Sequence, residues 1–415
     1  MDIQLESWAS LIFRWAHIVA GIGWIGASFY FMALDYALKR REGMDERVKG
    51  ENWQVHGGGF YHIQKYMVAP EQMPNDLKWF QWDSYATWLT GFALMAVLYY
   101  WQADIYLIDR SVLALSKPQA ILISVATLTA SWLIYDGLCR SPLRHNSPAM
   151  FACLFVLLIA AAWGLGQVFS PRAAFLHVGA MIGTIMTGNV FFIIIPNQRI
   201  VVQDLKAGRI PDAKFGIIAK LRSTHNNYLT LPVLFLMISN HYPMTFGHPM
   251  AWAVIAFILP IGAIIRDYFN AHDRGEHGKR LAWQWPSAAL LLLALMIFVS
   301  WRPAPTPTPT IASTTKNEIK TKPSEKTSTT SALENAALKV VQARCSVCHS
   351  ANPTDFVDAP PSGVLLETSA HMRQYASKIH QQTIAANIMP PGNLTNMTQE
   401  ERAILASWLE SIGNK

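Results

Sequence analysis

Charge is what this sequence has least of. Asp, Glu, Lys and Arg make up 15% of its 415 residues, against 51% apolar residues and fifteen tryptophans. A chain so long and so poor in charge is not an average soluble domain, and membrane spans are expected. Also lacking is a cationic segment ahead of the first apolar stretch, where Asp2 and Glu6 make the tail slightly acidic. No cleaved signal peptide is therefore expected, and the first helix should stay.

Apolar stretches of about 20 residues, the length that crosses a hydrocarbon core, run over residues 8–34, 82–101, 118–138, 149–169, 173–195, 227–239, 250–269 and 283–301. The fold class expected is all-α: a polytopic helical membrane bundle of about eight transmembrane helices. The sixth span carries Asn226, Asn227, Thr230 and Pro232 and reads as a broken or polar-lined helix. Basic residues set the orientation. Lys39, Arg40, Arg41, Arg47, Lys49, Lys65 and Lys78 follow the first span, and Arg199, Lys206, Arg209, Lys214, Lys220 and Arg222 follow the fifth. Those loops should be cytoplasmic and both termini outside. The net charge of +7 is then a topology signal at the lipid bilayer, and no nucleic-acid partner is expected.

The membrane part also suggests an internal duplication. Aligning His17 with His177 pairs Ala20 with Ala180, Ile22 with Ile182, Gly23 with Gly183, Ile25 with Ile185 and Phe31 with Phe191. Helices one to four and five to eight would then be two parallel repeats.

After Trp301 the composition turns to Pro, Thr, Ser and Lys. Three segments follow: a transmembrane domain over 1–302, a flexible linker over 303–331 that cannot bury a core, and a small domain over 332–415. In the small domain, Thr398 with Glu401 three residues on is a capping box that opens a terminal helix. Cys345-Ser346-Val347-Cys348-His349 is the C-x-x-C-H haem attachment signature: two thiols for thioether bonds and an imidazole to ligate iron. A zinc site needs about four ligands, and the domain adds only His371 and His380. Met389, in Ile388-Met389-Pro390-Pro391-Gly392, is the expected second axial ligand of a class I cytochrome c, with Met372 and Met397 as alternatives. Haem c is attached outside the cytoplasm, the side that the charge bias independently gives to the C-terminus. Cys139 and Cys153 read as packing residues.

Ionisable groups inside spans are functional candidates. His17 and His177 fall in the outer halves of their helices, where a haem b held between them could reach haem c; an interhelical hydrogen bond is the plainer reading. On the inner side, His56-Gly57-Gly58-Gly59-Phe60-Tyr61-His62 reads as a tight turn between two extended pieces, a lid. Asp83, Asn197, Arg199, Arg222, His225, Asn226, Asn227, Arg266 and Asp267 cluster in topology on that side. Together they suit a planar, anionic, hydrogen-bonding heterocycle, although any one arginine is more simply a helix-end anchor.

These residues resemble the membrane-bound, cytochrome-c-linked urate oxidases (urate hydroxylases) of bacteria, over nearly the whole chain. The resemblance rests on the segment from His17 to Tyr30, the loop from Val55 to Tyr66, Trp82-Asp83-Ser84-Tyr85, Tyr106-Leu107-Ile108-Asp109, the run from Ser223 to Pro232, and the appended haem domain. Asp83 departs from the family, where glutamate is more frequent. The segment from His17 through Trp24, Phe29 and Tyr30 is also similar to the first helix of a bacterial membrane haem protein that oxidises protoporphyrinogen, which favours His17 as a ligand. The resemblance implies oxidation of urate to 5-hydroxyisourate in the inner membrane. Electrons would leave through the periplasmic cytochrome to a soluble or membrane cytochrome or terminal oxidase, and no hydrogen peroxide would form. His62 or His225 would then take the urate proton and Arg222 or Arg199 hold the anion, with Asp83 nearby. Competing readings are an electron-transfer subunit without its own substrate and a transporter with a regulatory cytochrome.

Overall fold

The computed structural model describes residues 5–66, 74–301, 326–353, 357 and 360–413. Most of the expected linker lies outside the described residues. Among the described residues, six helices are long and apolar enough to cross a membrane: Leu5–Ala37, Lys117–Arg140, Ser147–Gly166, Pro171–Lys206, Ala251–Asp273 and Gly278–Ser300. Helices also form over the other two expected spans. The second is α-helical only over Trp82–Met95 before winding into π turns at Ala96–Trp101 and Ala103–Leu107. The other runs Ala213–Ile238 and begins well before the apolar stretch, because Asp212 caps it on the Lys214 amide and its first half is polar. It is polar-lined but continuous, with Pro232 inside it.

In chain order the bundle comprises α1 (Leu5–Ala37), β1 (Val48–His56), β2 (Gly59–Tyr66), α2 (Trp82–Met95), α3 (Lys117–Arg140), α4 (Ser147–Gly166) and α5 (Pro171–Gly188). There follow α6 (Ile195–Lys206), α7 (Ala213–Ile238), α8 (Pro243–Phe246), α9 (Ala251–Asp273) and α10 (Gln284–Ser300). Helix starts obey capping chemistry: Ser116 and Gln119 box the start of α3, and Ser170 precedes Pro171 at the start of α5. The α5–α6 span is central, with 61% of its apolar window buried, whereas 6% of the α1 window is. Phe175, Val178, Ile182 and Ile185 of α5 form one core with Leu229 and Leu236 of α7 and with Val254 and Ile255 of α9. On α1, Leu11, Trp15, Ile18 and Ile22 are exposed, the face a helix turns to lipid.

β1 and β2 form an antiparallel hairpin in which Trp53 pairs with His62 and His56 with Gly59. Its turn needs positive φ twice, 60° at Gly57 and 78° at Gly58, which glycine alone supplies without strain. The hairpin sits on the C-terminal end of α1: Lys39 bridges Glu51, Tyr30 donates to Gln54, and Lys65 pairs with Asp35. Asp35 also takes Lys220 of α7 at 2.6 Å.

The C-terminal unit holds α11 (Lys326–Arg344), α12 (Ser369–Gln374), α13 (Ala376–Ile379) and α14 (Gln399–Ser411). The Thr398–Glu401 capping box is formed. Ala337, Val340 and Val341 of α11 meet Leu405, Trp408 and Leu409 of α14 in a separate small core that also buries Met372 and Met397. This unit docks on the end of the bundle opposite the hairpin. Ile388 packs against the bundle core, and the Arg110 amide donates to Gly392 O at 3.4 Å. A side chain on Gly392, whose φ is 54°, would strike the Ile108 carbonyl, and one on Gly247 would strike Ala386. A cavity of about 630 Å³ opens at this junction, lined in part by Trp163, Phe246, His248, Trp252 and Arg402.

Candidate functional site

Between α3, the end of α5 and α7 lies a closed polar cluster. Arg222 is 2% exposed and pairs with Asp136 at 2.6 Å, while its Nη1 donates to Asn189 Oδ1 at 3.1 Å. The Asn189 amide donates to the Tyr135 hydroxyl and to Asn226 Oδ1, and Asn226 donates to Met186 O. Tyr135 meets His225 Nδ1 at 2.8 Å. Asp136 also takes Arg140, at 2.6 Å. A buried guanidinium needs a counter-charge and filled hydrogen bonds, and here Arg222 has both. Its charge is spent inside the protein.

One residue along α7 the pattern changes. Asn227 turns to α9, where its Oδ1 accepts from Asn270 at 3.0 Å and from Arg266 Nε at 3.4 Å. Arg266 Nη2 donates to Asn270 Oδ1 at 3.0 Å, and the guanidinium lies 4.1 Å from the Phe29 ring centre. Nearby, Tyr228 donates to Asp267, which also holds Arg280 and Gln284.

The other expected site residues stand apart from both clusters. His62, on the hairpin, bonds Glu51 at 2.5 Å and stacks on Trp53 with ring centres 4.2 Å apart. The His62 hydrogen bond holds the Glu51 carboxyl below the usual range, with Trp53 and Arg41 adding to it. Arg199, exposed on α6, reaches Gln81 at 3.4 Å. Asp83 is half-buried in the first turn of α2, and its backbone carbonyl accepts from Thr87. The structure thus joins Arg222 to His225 and leaves His62, Arg199 and Asp83 elsewhere.

His17 and His177 face different helices. His17 Nδ1 donates to Thr87 O of α2 at 2.9 Å, and its ring lies over Gly91, where a Cβ would be 2.7 Å from Cε1. His177, wholly buried, donates from Nδ1 to Ala173 O at 2.7 Å and takes Ser124 of α3 on Nε2 at 2.6 Å. Iron ligation by the pair would require the Ser124 bond to be exchanged.

In the C-terminal unit, Cys345, Cys348 and His349 follow the last turn of α11, with the His349 amide on Cys345 O at 2.9 Å. His349 Nδ1 donates to Val364 O at 3.0 Å, which fixes the ring and leaves Nε2 as its free nitrogen among the described residues. Burial pushes the Cys345 thiol up to about 12 and raises that of Cys348, while it lowers the pKa of His349. A closed zinc site needs about four ligands, and among the described residues no group of three or more His, Cys, Asp or Glu side chains is placed to hold a metal ion. Met389 lies half-buried in the docking loop, where Arg402 Nη1 donates to its carbonyl at 2.9 Å and to Thr383 O at 2.7 Å. Met372 and Met397 are instead sealed in the small core.

Sequence reasoning missed Asp136, Tyr135, Asn189 and Asn270. The signal for Asp136 was present, since a carboxylate in an apolar span demands a partner; Asn189 and Asn270 carried a weaker form of it. No curated protein and no solved structure matches the chain. The family model described as urate oxidase N-terminal matches residues 3–300, the whole bundle with its hairpin. The chain belongs to the urate oxidase N-terminal family.

Proposed function

We propose that this chain oxidises urate to 5-hydroxyisourate in the bacterial inner membrane and passes the electrons, through a haem c on its periplasmic C-terminal unit, to the respiratory chain without forming hydrogen peroxide. The observation that carries the reading is the family match over residues 3–300, in a chain whose docked C-terminal unit holds a C-x-x-C-H sequence.

The residues present fit a covalently held haem. Cys345 and Cys348 are free thiols, and His349 is oriented by Val364 with Nε2 unengaged among the described residues. The buried Trp408 Nε1 has no partner there, a donor that a bound group could satisfy. Cys345 and Cys348 would carry the thioether links, and His349 and Met389 would hold the iron. Bound there, a haem would supply one-electron transfer, and ligation by the Met389 thioether would raise its potential.

The overall reaction balances as urate plus water giving 5-hydroxyisourate, two protons and two electrons, the electrons leaving singly. In the bundle, a base must take the urate proton. His225 suits this role, because with Nδ1–H given to Tyr135, Nε2 keeps a lone pair that is unengaged among the described residues. His62 is bonded to Glu51 on the hairpin and would have to exchange that bond to serve. The test is urate added to membranes under anaerobic conditions while the haem c absorbance is recorded. Reduction is expected; haem that stays oxidised under urate yet reduces with dithionite refutes the reading.

A further inference from the structure

Four cations on the hairpin side of the bundle have carboxylate partners. Arg222 has Asp136, Lys220 has Asp35, Arg274 has Glu276 and Arg280 has Asp267. Arg266, buried like Arg222, has none among the described residues. It is 5% exposed, yet among the described residues no carboxylate lies within ion-pairing distance of it. Asp273, two turns further along α9, acts on it only from farther away and itself lies beside His272. The guanidinium has two amide oxygens, those of Asn227 and Asn270, and an aromatic face, Phe29. Nη1 is left without an acceptor among the described residues. Beside it, Asn227 is wholly buried and its Nδ2 donor is also unpartnered there.

A buried cation without a counter-ion and a buried amide donor without an acceptor both cost folding free energy. Placed together against a ring face, they make a receptor for one planar anion with acceptor oxygens. We propose that Arg266 and the Asn227 amide anchor the urate monoanion, with Arg222 serving the fold instead. This rests on the urate reading above. Adjacent positions on α7 then divide the labour: Asn226 completes the closed Arg222 cluster, and Asn227 faces the substrate. Asn270 is a positioning residue, holding both the guanidinium and the Asn227 oxygen in place.

The test uses the full chain purified in detergent and titrated with urate by calorimetry. Arg266→Gln is expected to raise the urate Kd about tenfold or more, as loss of a charge-assisted contact does. The sharper variant is Asn227→Asp. It keeps the oxygen that Arg266 and Asn270 bond, gives Arg266 an internal counter-ion, and replaces the free donor with a repelling charge. Urate binding should disappear while the thermal midpoint holds or rises, an outcome that a purely structural asparagine would not give. Wild-type binding with unaltered affinity in either variant overturns the anchor, and so does an Asn227→Asp chain that loses thermal stability. A wild-type chain that binds no urate overturns the substrate reading itself.

Discussion

Gly247 and Ala386 meet where the C-terminal unit rests on the bundle, and their contact allows a quantitative test of whether that docking carries electrons. A Cβ on Gly247 would lie 2.6 Å from Ala386 Cβ and 2.7 Å from Ala386 Cα, whereas carbon atoms rest about 3.5–4.0 Å apart. Gly247→Ala must therefore part the two surfaces by about 1 Å. The backbone at Gly247 has φ −84° and ψ 4°, which alanine adopts without strain. The whole cost falls on the contact. Overpacking of this kind costs about 1–3 kcal/mol, which weakens docking about 5- to 150-fold. In stopped-flow experiments, the haem of the variant should be reduced by urate more slowly, while dithionite reduces it at the wild-type rate because the haem unit is unaltered. Amide hydrogen exchange over 383–393 should rise in parallel. An unchanged urate-driven rate together with faster exchange would show that electrons do not need this contact; neither change would show that the contact itself is not formed in solution.

Other outcomes follow from single features. Asp136→Asn leaves Arg222 buried without its charge partner, a loss of about 3–5 kcal/mol, and should lower folded yield and thermal midpoint in detergent. Glu51 has a folded pKa below its unfolded value, so its bonds to His62 and Arg41 add stability above about pH 4 that disappears as pH falls through the folded value. Proteolysis of the hairpin should speed up in acid, and Glu51→Gln should show the acid rate already at neutral pH. Cys345→Ala with Cys348→Ala should leave no haem on the polypeptide after acid-acetone extraction, where the wild-type chain retains it.

How much of this was legible beforehand varies with the kind of interaction. Apolar length located the helices, because backbone polar groups in lipid have no partner but their own helix. The hairpin was legible in Gly57 and Gly58, and the terminal helix in Thr398 and Glu401, since turns and caps are local chemistry. The polar clusters were not. Sequence placed Arg222, His225, Asn226, Asn227 and Arg266 on one side of the membrane, but not that Asp136 closes on Arg222 while, among the described residues, no carboxylate closes on Arg266. Partner choice across helices depends on rotation about each helix axis, which hydropathy leaves open. The same limit applies to His17 and His177, whose aligned sequences end on unlike partners, Thr87 and Ser124.

The loop from Thr383 to Gly392 has two occupations at once. It presents Met389, and it is the part of the C-terminal unit pressed onto the turn at Asp104 and Ile108. Arg402 braces that loop from behind through two of its carbonyls. Under the proposed function, whatever collects electrons from this protein could not approach by that side. It would come to the opposite flank, so donor and collector would never compete for one landing place, and the unit would work as a fixed relay with an entrance and a separate exit.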